Sequence, residues 1–188
     1  MEQLIQLNSN AKFSEHFTIG EFTKSGSHPE VYNIPSHEAR ANLKRLCGWL
    51  EVLRKRYNAK YCLSSRLSEA HGEISGDPST TLGMTKEPTL DMTNEEPIRI
   101  NSGYRSPQLN RKIGEAANSN HLTGCAADIK VSGMDQALRY ATILLDYADE
   151  SKHEFDELLI EKNRYGAMWL HFAVRPKDNR RKILFINA

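Results

Sequence analysis

Ser119-Asn120-His121-Leu122-Thr123-Gly124-Cys125-Ala126-Ala127-Asp128 sets an imidazole and a carboxylate seven positions apart across a glycine. If residues 125–131 are extended, Ala126, Asp128 and Lys130 share one face and Ala127, Ile129 and Val131 the other. Gly124 lets the backbone turn sharply just before that strand, which brings His121 back over the Asp128 face. Further on, Met168-Trp169-Leu170-His171-Phe172-Ala173-Val174 alternates in the same way, with Trp169, His171 and Ala173 on one side. Taken singly, His121 reads as a loop residue, Asp128 as a strand-end cap and His171 as a core histidine. Together, two strands present His, Asp and His to one point. Three N/O ligands with a fourth position open is the arrangement of a catalytic zinc, whereas a structural zinc has four protein ligands rich in Cys.

Upstream, Ile98-Arg99-Ile100-Asn101-Ser102 alternates as a strand, and Gly103-Tyr104-Arg105-Ser106-Pro107 turns out of it. An arginine delivered from a strand end into a cleft suits a carboxylate or a developing oxyanion, which it meets through paired N–H donors.

Ser119-x-His121-x-x-Gly124-x-Ala126-x-Asp128, preceded by Ser102-Gly103-Tyr104-Arg105-Ser106 and followed by Trp169-x-His171, resembles the zinc D-alanyl-D-alanine peptidases. These are relatives of the hedgehog and lysostaphin-type zinc folds, and the chain resembles in particular the short phage and prophage forms used as peptidoglycan-cleaving endolysins. The likeness runs from about Phe13 to Val174 with one interruption. The resemblance implies Zn2+ held by His121, Asp128 and His171, with Arg105 stabilising the oxyanion and the serine at Ser119 contacting substrate. It also implies peptidoglycan stem peptides as the partner. Many members place Glu or Asp three residues before the second histidine, where this chain has Met168. In the phage-type subgroup a glutamate closes the preceding strand, in a sequence similar to Phe155-Asp156-Glu157-Leu158-Leu159-Ile160-Glu161, which makes Glu161 the candidate general base. His153 is an outside candidate whose plainer reading is an ordinary loop histidine.

The other elements follow from period and punctuation. Phe13, Phe17 and Phe22 mark an N-terminal arm pinned by aromatic burial, with His16 and Glu21 as its polar rim. Ser36 caps a helix whose stripe of Ala39, Leu43, Leu46, Leu50 and Leu53 runs to about Tyr57. Residues 108–116 form a short helix. Met134 to Asp149 form a longer one, with Leu138, Ala141, Ile143, Leu144 and Leu145 as its buried face. Residues 155–161 make a strand that sets Glu157 and Glu161 on the face with Leu159. Lys162 to Gly166 turn the chain so that the His171 strand returns antiparallel beside it. After a basic cluster, Arg175 to Lys182, a last edge strand is expected at Ile183-Leu184-Phe185-Ile186. The elements and the resemblance together imply an α+β fold, a small mainly antiparallel sheet flanked by helices.

With 188 residues, 39% hydrophobic and 26% charged, the chain suits one domain, 1–188, with a sizeable core. The stretch 64–97 breaks this texture. It lacks aromatic residues, holds Pro78, Pro88 and Pro97, and is acidic, so it reads as a loop or partly disordered insertion. A formal charge of +1 carries no nucleic-acid footprint. Cys47, Cys62 and Cys125 are an odd count without C-x-x-C spacing, which argues against both a disulfide framework and a thiolate zinc site. Residues 1–8 lack a basic n-region and a long apolar core, and no run of about 18 apolar residues spans a bilayer. The expectation is a protein kept in the cytoplasm as synthesised, without membrane insertion, that acts on the cell wall if released. The rival expectation is a noncatalytic zinc-containing domain that binds cell wall or peptide, for which Met168 is the best support. Oligomeric state and the D,D or L,D choice of bond stay open.

Overall fold

The computed structural model describes residues 8–62 and 95–187. Most of the stretch read as an insertion, and the start of the N-terminal segment, lie outside the described residues.

The arm closes on itself as its phenylalanines require. Phe17 and Phe22 are buried, and the Phe22 ring meets those of Phe13 and Phe17 edge to face at 5.9 and 6.0 Å. At the start of α1 (Ile19–Thr23), Glu21 accepts hydrogen bonds from the Thr18 amide and hydroxyl. His16 Nδ1 meets Glu51 at 2.7 Å. The rim residues therefore serve the arm.

In α2 (His37–Tyr57) the Ser36 hydroxyl accepts from the Ala39 amide, satisfying one of the orphan donors of the first turn. The whole expected stripe, Ala39 through Leu53, is buried. The helix runs on into a π-type turn, Asn58–Cys62. Where the chain resumes, Glu96 N donates to Asn58 Oδ1 at 2.8 Å, which ties it to that end of the helix.

The remaining elements are β1 (Ile100–Ser102), α3 (Pro107–Lys112), a 3-10 turn (Asn120–Thr123), β2 (Ala126–Lys130) and α4 (Met134–Ser151), followed by β3 (Glu157–Lys162), β4 (Met168–Ala173) and β5 (Lys182–Asn187). They make one five-stranded sheet, ordered β1-β2-β4-β3-β5. Every neighbouring pair is antiparallel except β3 and β5, which run parallel. This is the mixed helix-and-sheet architecture that the sequence implied.

Strand parity divides the sheet into two chemically different faces. Ala127, Ile129, Leu158, Ile160, Leu170 and Phe172 are buried in one core with Leu46, Leu50 and Leu53 of α2 and Ala137, Tyr140 and Leu144 of α4. Burying a Leu, Ile or Phe side chain fully contributes about 1.5–3 kcal/mol, so this face holds the fold together. The opposite face carries Asp128, Leu159, His171, Glu157 and Glu161. In α4 the expected face is corrected at Leu138, which is 52% exposed. Ala141, Ile143 and Leu144 are buried as expected, with Ala137, Tyr140 and Ala148 beside them, and Leu145 packs against the core. Tyr140 sets this rotation, because its ring packs edge to face on Tyr57 at 4.8 Å and its hydroxyl meets Gln136 Nε2 at 3.1 Å.

Two glycines let the site loops approach the core. Gly103 lies against Phe22, where an added Cβ would come within 2.6 Å of the carbonyl oxygen. Gly124 has φ +70°, and a Cβ there would come within 2.5 Å of the Ala39 carbonyl oxygen of α2. Gly124→Ala is expected to cost about 1–3 kcal/mol from left-handed strain alone, and the overlap with helix backbone adds to it. Equilibrium denaturation would measure this. Unchanged stability would show that the turn can relax away from α2.

Candidate active site

The glycine turn and β2–β4 pairing bring the three expected ligands to one place. Asp128 and His171 are direct cross-strand partners, and the 3-10 turn folds His121 over them. His121 Nε2 lies 3.3 Å from His171 Nδ1 and 3.3 Å from Asp128 Oδ1, while His171 Nδ1 and Asp128 Oδ1 are 2.9 Å apart. All three residues are buried. Donors at these separations admit a point about 2 Å from each, which is the bond length zinc takes with imidazole nitrogen and carboxylate oxygen. The residues therefore fit a metal ion.

The surrounding groups orient the donors. His121 Nδ1 sits 2.6 Å from the Gly103 carbonyl oxygen, which fixes the proton there and directs the Nε2 lone pair inward. The second oxygen of Asp128 accepts from Arg105 Nη2 at 2.8 Å. On its far side, His171 Nε2 lies 3.6 Å from Glu157 Oε2. Burial opposes charge on Asp128, yet His121 and His171 hold its carboxyl well below the usual range. Burial likewise works against a protonated His171, but Asp128 and then Glu157 raise its pKa to about 9.

Two glutamates stand on the metal face in different surroundings. Glu157, which sequence parity placed beside Glu161, is drawn down to about 2, first by its hydrogen bond with His171. Its oxygens also receive Asn120 Nδ2 at 2.9 Å, Arg180 Nη2 at 2.8 Å and Lys182 Nζ at 3.4 Å. Glu161 pairs across the sheet with Trp169, which donates a hydrogen bond to it, and burial pushes its pKa upward. Both glutamates line a cleft of about 340 Å³ with Arg105, Ser119, Trp169 and the histidine–aspartate cluster. Ser119 caps the 3-10 turn, its hydroxyl accepting from His121 N at 3.3 Å.

Met168 belongs to the other face of β4 and packs against the core, so its identity has no bearing on which carboxylate faces the cleft. His153 meets Tyr147 at 3.4 Å and lies near the Trp49 ring, on the helical side of the sheet. Cys125 is buried and free, in keeping with a packing role.

Behind the cleft is a polar network that the sequence analysis did not anticipate. Asp156 is fully buried and accepts from Arg180 Nε and Nη2 at 2.8 and 2.7 Å and from Asn120 Nδ2 at 2.7 Å, with Arg175 Nε 3.0 Å away. Burial would raise the Asp156 pKa, but the Arg180 and Asn120 hydrogen bonds outweigh it and the carboxyl is lowered. A lowered carboxylate stabilises the fold above its unfolded pKa of about 3.9, and that contribution is lost as pH falls through the folded value. Asp156→Asn should therefore flatten the loss of stability below about pH 4. Denaturation midpoints across acid pH would show it, and an unchanged slope would assign the acid limb to other carboxylates.

A family model described as Peptidase M15 matches residues 78–146. The match takes in Arg105, Ser119, His121 and Asp128, begins inside the stretch expected to interrupt the pattern, and stops before Glu161 and His171. No curated protein matches the chain. The match covers little more than a third of the chain and is to a peptidase family, and the buried His121-Asp128-His171 group on the α+β sheet could hold a metal ion. Peptidases of that family are zinc-dependent. Among the described residues no helix is long and apolar enough to cross a membrane.

Proposed function

We propose that this protein is a zinc peptidase that hydrolyses stem-peptide bonds of peptidoglycan, as a D,D-carboxypeptidase or as an endopeptidase of the endolysin kind. The observation that carries the reading is the buried triangle of His121, Asp128 and His171 with a second carboxylate, Glu161, on the same sheet face. Zinc, when bound by these three residues, supplies Lewis acidity that polarises the scissile carbonyl and makes water nucleophilic near neutral pH.

The chain's own groups do the rest. Glu161 takes the proton of the attacking water and passes it to the leaving amine, a role for which its raised proton affinity and cleft position suit it. Glu157 is occupied by His171, Asn120, Arg180 and Lys182, so it orients rather than transfers protons. Arg105 is fixed by Asp128 and by Ser102, whose hydroxyl accepts from Nε at 3.1 Å, and it presents its remaining donors to the oxyanion. Ser119 stands at the cleft rim with a hydroxyl proton to offer the substrate backbone.

The test is product analysis of purified muropeptides. Zinc-loaded protein should release new amine and carboxylate termini, chelator should abolish that release, and added zinc should restore it. Retained binding without any cleaved product would overturn the enzymatic reading and leave a noncatalytic wall-binding domain.

A further inference from the structure

Arg175 is anchored at one end only. Its Nε donates to Asn120 Oδ1 at 3.0 Å and lies 3.0 Å from the buried carboxylate of Asp156. Its amide donates to Asn179 Oδ1 at 2.8 Å, and Asn179 Nδ2 returns a bond to the Arg175 carbonyl at 3.1 Å, which fixes the backbone. Among the described residues the two terminal nitrogens have no partner, and the side chain is 32% exposed. Neighbouring Arg180 spends Nε and Nη2 on Asp156 and Glu157, so it supports the fork from behind.

Position gives the fork its meaning. Arg175 follows Ala173, the last residue of β4, and lines both the cleft and an adjoining hollow of about 370 Å³. Asn118, Ser119 and Asn120 form the rim common to both. The hollow continues over Cys125, Pro176 and Lys177, with Glu38 and Asp178 as its acidic groups. A peptide that crosses that rim from the metal cluster into the hollow would meet Arg175, which lines both. Three short contacts link the two points: His171 to Glu157 at 3.6 Å, Glu157 to Asn120 at 2.9 Å and Asn120 to Arg175 at 3.0 Å.

We infer that Arg175, held by Asn120 and Asp156, is a specificity residue that binds a carboxylate of the peptide substrate on the Ser119–Asn120 side of the cleft. Two donors in a fixed plane match a carboxylate bidentately, and the orientation cost is met beforehand by the anchored Nε. A carboxamide of equal size offers one acceptor oxygen and no charge. The inference rests on the peptidase reading and adds which substrates the site selects.

The probes are a synthetic stem pentapeptide ending in D-Ala-D-Ala and its variants, each with one carboxylate, terminal or side-chain, converted to carboxamide. Binding is measured by calorimetry and cleavage by product release, both with zinc-loaded protein. Amidation of one carboxylate, and not of the others, should weaken binding to the wild type about tenfold. Arg175→Gln should bind the parent peptide about as weakly as the wild type binds that amide, and should no longer tell the two apart. Arg175→Lys keeps the charge without the fork and should recover only part of the difference. Zinc content and melting temperature report whether each variant is folded, and wild-type discrimination among the amides decides the matter if the variants are not. Cleavage of all the peptides with equal affinity would overturn the carboxylate subsite while leaving the peptidase intact. Discrimination that survives in Arg175→Gln would overturn it equally. Absence of both binding and cleavage would remove the peptidase reading and the subsite with it.

Discussion

Glu161→Gln is expected to lower turnover on a stem-peptide substrate by about 10² or more while zinc content stays at one ion per chain. Glutamine keeps the size of the side chain and an acceptor oxygen for the Trp169 hydrogen bond, so the sheet face should keep its shape. What disappears is the group that can hold the proton between water and leaving amine. Glu157→Gln is the informative control. It weakens the carboxylate beside His171, so its loss should appear first in zinc affinity, by about 10–100-fold. Metal content by atomic absorption and single-turnover rates separate the two. If Glu161→Gln cleaves at the wild-type rate, the base is another group; if it loses zinc, Glu161 belongs to the coordination sphere.

Removing Asp128 should do the most damage, because two buried cations depend on it. Asp128→Ala takes one ligand from the metal site and also strips Arg105 of its close partner, leaving Glu115 Oε1 at 3.6 Å as the nearest remaining carboxylate. The Arg105 and Asp128 side chains are only 10% and 11% exposed, so the orphaned guanidinium is poorly solvated. Breaking a buried pair in this way costs about 3–5 kcal/mol. Zinc retention should be lost, and denaturant midpoints should fall accordingly. Arg105→Met in the Asp128→Ala background should recover part of the stability without recovering metal. A single variant as stable as the wild type would show that Glu115 or water satisfies Arg105.

Two of the three metal-ligand candidates were legible in the sequence because a strand repeats every two residues, and His121 because Gly124 marks a turn just before β2. Parity alone put Asp128 on one face and His171 on one face, and the structure adds that they are direct partners. The same parity placed Glu157 and Glu161 together, but it could not say that their face was the metal face until β3 was set against β4. The distinction between the two glutamates was not legible. It depends on Asn120, Arg180 and Lys182, which reach Glu157 across 37, 23 and 25 positions of sequence. Helix α4 departed from expectation at one residue. Ala141, Ile143 and Leu144 are buried and Leu145 packs against the core, but Leu138 falls outside the face that Tyr140 and Gln136 set. Spacing from His171 did not show that Met168 faces the core, because that depends on the side of the strand on which it falls.

Strand β5 carries Ile183, Leu184 and Phe185 about half exposed, at the outer edge of the sheet and in parallel register with β3. Natural edges are blunted by inward charges, prolines or bulges, and the run from Ile183 to Ile186 has none of these between Lys182 and Asn187. Its backbone donors and acceptors on the open side are a template for adding strands from other molecules. The strand that lends Lys182 to Glu157 thus leaves its outer side open to self-association, and Phe185→Lys, which places a charge on that edge, is expected to reduce it.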